Sequence, residues 1–329
     1  MGNKKGVKPM PANIYSFGML EGSERPWWVN ANTQINTWPK DSLWEKVADQ
    51  SGLAWNAAFQ PLQTINGKTV TSHRAIVRED TGEPISVVKN RYHIVQPKDS
   101  FKFFDEVING IQYYTAGSLG NGSKLWVLAK MPYQSEIVNG DKIDNFVLLS
   151  NSFDGATTLK ILFTPIRVVC QNTLIQAEIT GNYLLNAKHT ESVVTKIQSV
   201  KGLLSELNEK ALKTELDLKK MQSERVTDTQ IEEFLKSLLA EGKEETSTRT
   251  ANVMTAITDL YQNGKGTDIP GVKGTYYGLY NAITEYTDHF KSVRGEKEDV
   301  SKRFESINFG TSARLKEDAF TKIMNLVNT

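Results

Sequence analysis

The chain has 329 residues, 39% hydrophobic and 23% charged, which is enough for one large core or two ordinary ones and too apolar for disorder. A net charge of +1 excludes a global basic field, so any nucleic-acid site has to be a local groove. No apolar run approaches the ~18 residues of a membrane helix; the basic start Met1-Gly2-Asn3-Lys4-Lys5 lacks a following signal region, and the single Cys170 fits a reducing cytoplasm.

Residues 1–26, with Gly2, Gly6, Pro9, Pro11 and Gly18, read as an irregular arm, and Pro26-Trp27-Trp28-Val29 and Trp38-Pro39 as aromatic anchors over a sheet. Ser42 is the expected N-cap of a weak helix over Leu43 to Ser51. Short strands are then expected at Ala57 to Leu62, Thr69 to Arg78 and Ile85 to Lys89, separated by Asn66-Gly67 and Asp80-Thr81-Gly82. Pro97 to Ser100 opens a helix, Phe101 to Ile108, which completes a strand–strand–strand–helix unit.

Ile111 to Ala116 and Lys124 to Met131 form another hairpin, with a further strand at Ser135 to Val138. Lys124, Trp126, Leu128 and Lys130 alternate with Leu125, Val127 and Ala129, so the two sets take opposite faces. The apolar runs Phe146 to Leu149 and Leu159 to Phe163 flank Asp154-Gly155 and belong to a buried antiparallel pair. Pro165, without an N–H, is expected to interrupt that ladder. Residues 27–184 thus form a β-rich α+β core domain.

From 185 to 329 the pattern is helical. Val193, Ile197, Val200, Leu204, Leu207, Ala211, Leu218 and Met221 recur at spacings of three and four, a heptad seam on a helix of about 190–225. The seam suits either an antiparallel helix pair or pairing between subunits. Thr227 and Gln230 make a capping box for a helix at about 228–240. Further helices are expected at about 247–262, 275–293 and 312–327. The glycine-rich stretch from Asn263 to Gly274 and the charged stretch from Arg294 to Lys302 read as loops.

No nucleophile–base pair is offered, so no catalytic residue, metal or nucleotide cofactor is assigned. Cys170 lies in an apolar run and reads as structural. Gly264-Lys265-Gly266 lacks the spacing of a phosphate-binding loop. Glu285, Asp288 and His289 share a helical face and read as a hydrogen-bonded polar cluster; a metal-dependent nuclease site is the alternative. Basic and aromatic residues alternate on the strands: Arg74, Arg78, Lys89, Arg91, Tyr92, Lys124, Trp126, Lys130, Lys160 and Arg167. Phosphates need cations and unpaired bases need flat rings, so such a sheet suits single-stranded nucleic acid. A solvated outer face is the plain alternative, and Arg167, next to Pro165 in an apolar run, also reads as a buried structural arginine.

Two passages, Ser150 to Gly155 with Phe163 to Leu174, and Tyr280 to His289 with Phe309 to Lys316, resemble the phage/plasmid-like protein family, a domain of unknown function found on bacteriophages, plasmids and neighbouring bacterial DNA. Relatives tend to open with a Trp-His-Gly-type start where this chain has Pro26-Trp27-Trp28-Val29. The strand–strand–strand–helix order of residues 57–108 is, more distantly, similar to the RecT/Redβ-like single-strand annealing proteins. Set beside the basic and aromatic strands, these resemblances imply a non-catalytic single-stranded-DNA-binding or annealing accessory of recombination or DNA maintenance; the helical seam adds self-association, and the composition a cytoplasmic protein independent of membranes. A module that binds a host defence or replication protein is the alternative.

Overall fold

In the computed structural model, the structure describes residues 14–24, 26, 35–107, 110–169, 172–173, 183–200, 204–239, 247–292 and 300–329. Cys170 and Trp27 to Val29 lie outside them. Alternation along three long strands organises everything else. Strands β7 (Lys124–Val138), β8 (Asp141–Ser152) and β9 (Leu159–Arg167) pair antiparallel, with Val127 opposite Leu149 and Leu149 opposite Ile161. Leu125, Val127, Ala129, Val147, Leu149, Ile161 and Phe163 thereby fall on one face, while Trp126, Leu148 and Leu162 fall on the other, and both faces are buried.

The sheet is extended by β6 (Gln112–Leu119), β1 (Ile14–Leu20) and β2 (Asn36–Trp38), which lies parallel to β1. Two short strands, β10 (Asn172–Thr173) and β11 (Tyr183–Ala187), both pair with β9. A separate sheet of β3 (Ala57–Gln63), β4 (Thr69–Arg78) and β5 (Pro84–Lys89) is followed by helix α2 (Pro97–Val107). The small sheet, α1 (Trp44–Gln50) and α2 cover the first face through Ile76, Val88, Val47, Phe101 and Phe104.

Several expectations are corrected. The arm contains β1, with Phe17 and Met19 buried on the sheet's second face. Ser42 does not cap α1; its hydroxyl donates to Pro39 O, and Leu43 stands at the cap. The hairpin strand expected to end at Met131 runs on to Val138, with an irregularity between Lys130 and Gln134 around Pro132. Pro165 does not break the ladder, because it pairs in register with Asn145. The far edge of β9 is taken by β11 at Leu159–Leu162 and by β10 at Ile166–Arg167, and among the described residues no strand pairs with Pro165 on that edge, where a missing N–H is tolerated.

The helical part comprises α3 (Val193–Ser199), α4 (Leu204–Ser223), α5 (Asp228–Leu239), α6 (Thr248–Asn263), α7 (Tyr276–Glu285, continuing as a π-turn through Phe290), α8 (Val300–Phe309) and α9 (Thr311–Val327). The capping box forms as read: Thr227 N donates to Gln230 Oε1 at 2.9 Å and Gln230 N donates to Thr227 Oγ1 at 3.3 Å. The seam is covered from within the chain. Val193, Val200, Leu207 and Ala211 pack into the sheet's core, while Leu218 and Met221 enter a helical core with Phe234, Tyr277, Tyr280 and Phe320. The expected loop from Arg294 to Lys302 gives way to α8 from Val300 onward.

One buried cluster latches the two parts together. Arg167, 1% exposed, donates from Nε to Asp141 Oδ1 at 2.8 Å and from Nη2 to Oδ2 at 2.7 Å. Tyr277 of α7 donates to the same Oδ2 at 3.0 Å. The guanidinium also donates to the carbonyls of Lys265 and Gly266. Gly266 has φ +74°, and a Cβ there would lie 2.8 Å from Arg167 Nη2, so only glycine lets the loop close on the arginine.

Candidate polyanion-binding cleft

The second face of the large sheet carries Lys124 on β7 and Lys160 on β9, both in register with β8, at Ser152 and Ser150 respectively. Helix α8 lies over this face because Phe304 packs on Trp126, ring centroids 5.2 Å apart. The helix and the sheet do not close completely. They leave a cleft of about 750 Å³, into which Lys302 of α8, Arg249 of α6 and Lys291 after the π-turn also reach. Thr157, Ser150, Ser306 and Thr311 add hydroxyls.

Helix α9 starts at the cleft. Its N-cap is Gly310, which has no side chain to cap the first turn, so the helix's positive end adds to the field of the lysines. Lys291 Nζ donates to Thr311 Oγ1 at 3.3 Å. Burial, reinforced by the neighbouring charges of Lys316 and Arg249, holds the Lys291 ammonium down to about 8. Lys160 lies 4.9 Å from the Phe309 ring centroid.

A second cleft, of about 720 Å³, abuts the first. The two share Arg249, Lys291, Ser292 and Thr311, and the second adds Arg314, Asn252 and Asp318. Lys124, Lys160, Arg249, Lys291, Lys302 and Arg314 therefore line one continuous surface. Among the described residues it carries a single carboxylate, Asp318.

The structure brings only part of the sequence-derived set together. Lys124 and Lys160 line the cleft, and Lys124 also lies 3.8 Å from Asp154. Trp126 is 1% exposed, with its ring stacked on Phe17 at 6.1 Å; it walls the cleft but does not face solvent as read from its alternation. Lys130 is paired with Asp144 at 2.6 Å. Arg78, 7% exposed, donates twice to Asp80 and covers the Trp55 ring. Arg74 lies over Phe59 and donates to Asn90 O. Tyr92 stacks on His189 and donates to Ser152 O. Lys89 and Arg91 are exposed beside the small sheet and do not line the cleft. Arg167 is the structural latch described above.

Sequence reading missed Arg249, Lys291, Lys302 and Arg314, because they come from three helices and a turn. A signal did exist for α8: Phe304 and Ile307 stand three apart after a charged start, half of a helical stripe.

On the Glu285–Asp288–His289 face, the two carboxylates each meet a partner from elsewhere in the chain. Glu285 accepts from Lys265 N at 3.1 Å, and Asp288 accepts from Lys316 Nζ at 2.7 Å, so the two carboxylates serve different partners. Among the described residues no group of three or more His, Cys, Asp and Glu stands close enough to hold a metal ion, and no helix is long and apolar enough to cross a membrane.

No curated protein and no solved structure matches the chain. A family model described as Domain of unknown function (DUF932) matches residues 84–307, from β5 through α8, which takes in the large sheet apart from β1 and β2 and two of the three helices that wall the cleft, α6 and α8. The chain belongs to that family.

Proposed function

We propose that this protein binds single-stranded nucleic acid along the basic cleft, without chemistry of its own. The observation that carries the reading is the run of six cations, Lys124, Lys160, Lys302, Lys291, Arg249 and Arg314, across two abutting cavities with one carboxylate among the described lining residues. On a chain of net charge +1, that concentration is a local field of the kind a phosphate backbone seeks. Two cavities end to end suit an extended polyanion better than a single phosphate. The half-buried Phe309 beside Lys160 supplies a ring for a base. The resemblance of the Ser150–Leu174 and Tyr280–Lys316 passages to proteins of phages and plasmids supports a role in the recombination or maintenance of mobile DNA.

The test is fluorescence anisotropy of a labelled oligo-dT and a matching duplex, titrated with protein at several salt concentrations. Single-strand binding is expected to weaken with salt, with a log–log slope of up to about −4 if all six cations meet phosphates. Lys160→Glu with Lys302→Glu is expected to flatten that slope and weaken binding on every sequence. Absence of binding at low salt, with the wild type folded, overturns the reading and turns the search to a host protein partner.

A further inference from the structure

A smaller cavity of about 250 Å³ lies on the same face of the sheet, and Trp126 and Phe304 are lining residues of both it and the basic cleft. Its walls are aromatic and aliphatic: Tyr114 and Phe146 meet edge to face at 5.0 Å, with Leu128, Leu148 and Ile307 around them. Its size is just below the ~300 Å³ at which pockets for drug-sized ligands begin, so a single ring system suits it better than a whole nucleotide. The polar groups differ from those next door. Glu24 and Asp144 bring carboxylates to this cavity and no lysine or arginine lines it among the described residues, which disfavours a phosphate. Thr164, 1% exposed, is among its lining residues, and its buried Oγ1 finds no hydrogen-bond partner among the described residues. An unpartnered buried hydroxyl is costly unless something supplies the missing bond.

We infer that this cavity is a base-reading pocket: a strand held by its phosphates in the basic cleft turns one unpaired nucleobase past Phe304 into the space between Tyr114, Phe146 and Ile307. The inference rests on the nucleic-acid reading above. The base stacks on the aromatic walls and offers its polar edge to Thr164 Oγ1, while its sugar and phosphate stay among Lys124, Lys160 and Lys302. The division of chemistry is the argument. Among the described residues, cations without carboxylates line one cavity, rings, hydroxyls and two carboxylates but no cation line the other, and two aromatic residues form the boundary.

The experiment compares full-length protein binding to oligo-dT with binding to an oligomer of equal length whose sugars carry no bases. The proteins are wild type, Leu128→Trp, which fills the cavity from a half-buried strand position, and Thr164→Val, which removes only the hydroxyl. Wild type is expected to prefer the base-bearing strand by about tenfold or more. Leu128→Trp is expected to erase that preference and keep the salt slope, and Thr164→Val to reduce the preference several-fold with unchanged thermal stability. Equal affinity of the wild type for both strands overturns the pocket while leaving the cleft intact. A preference that survives both substitutions also overturns it. Loss of all binding to both strands refutes the cleft reading, and the pocket falls with it.

Discussion

Lys316 on α9 and Asp288 in the π-turn form an ion pair of 2.7 Å with both side chains fully buried. Lys316 is also one of the charges that depress Lys291 in the cleft. Thr287 Oγ1 donates to the same carboxylate oxygen and Arg303 Nη1 donates to the Asp288 carbonyl. Truncating one partner strands a charge in the core. Lys316→Met is expected to cost about 3–5 kcal/mol, and Lys316→Met with Asp288→Leu to recover most of it, because a buried pair exchanged whole for apolar groups is often neutral. Urea titrations of the single and double variants measure both; a single variant as stable as wild type contradicts the assignment.

The Asp141 latch makes a different prediction. Asp141→Asn keeps the shape but removes the charge that Arg167 and Tyr277 converge on. A loss of about 3–5 kcal/mol is expected. Because the guanidinium also holds the carbonyls of Lys265 and Gly266, trypsin cleavage after Lys265 is expected to speed up more than cleavage elsewhere.

His189 sets a pH dependence of stability. It is 6% exposed, stacked on Tyr92 at 4.8 Å, and neither ring nitrogen finds a hydrogen-bond partner among the described residues. Burial holds its imidazole down to about 4, although the neighbouring His93 backbone and the Asp154 charge act the other way. Between pH 6.5 and 4 the unfolded chain therefore binds a proton that the folded chain refuses. The stabilisation is complete above about 6.5 and is lost as pH falls toward 4. A drop of about 2 kcal/mol between pH 7.5 and 5 is expected from this group, and His189→Phe is expected to flatten the curve of urea midpoint against pH.

Lys291 gives a pH dependence of binding with its own sign. Its ammonium, held down to about 8 by burial and by Lys316 and Arg249, is charged below that pH and neutral above it. Affinity for oligo-dT is expected to fall several-fold from pH 7 to 9.5. Lys291→Arg, charged throughout, is expected to remove the slope; an unchanged slope in that variant assigns it to another group.

Much of the fold was legible because Lys124 to Lys130 of β7 alternates so regularly that its two faces follow from parity, the apolar runs of β8 and β9 mark a buried pair, and the Thr227–Gln230 box announces α5 in four residues. Pro165 misled because a proline's effect depends on which edge of the strand it faces, which is a property of the neighbours. The heptad seam was legible as a stripe but not as an interface: Leu207 and Leu218 look alike in sequence, yet one completes the sheet's core and the other the helical core. The site was the least legible. Periodicity finds cations that share a strand, such as Lys124 and Lys130, whereas the cleft gathers cations from β7, β9, α6, α8, α9 and a turn. Only tertiary packing makes them neighbours, and it also removes Arg78 and Arg167 from the solvent face.

The cleft has one wall of sheet and one of helix, and the two are joined through Asp141, Arg167 and the glycine loop. A strand lying in it would touch both at once and act as a splint across the joint. Occupancy then protects the seam between the two parts before it protects either part's interior. Hydrogen exchange in the bound state is expected to slow first at α8 and at the start of α9, the elements that close over the strand, while the middle of β8 hardly changes. The same geometry means that neither half would carry the activity if separated, however well each folded.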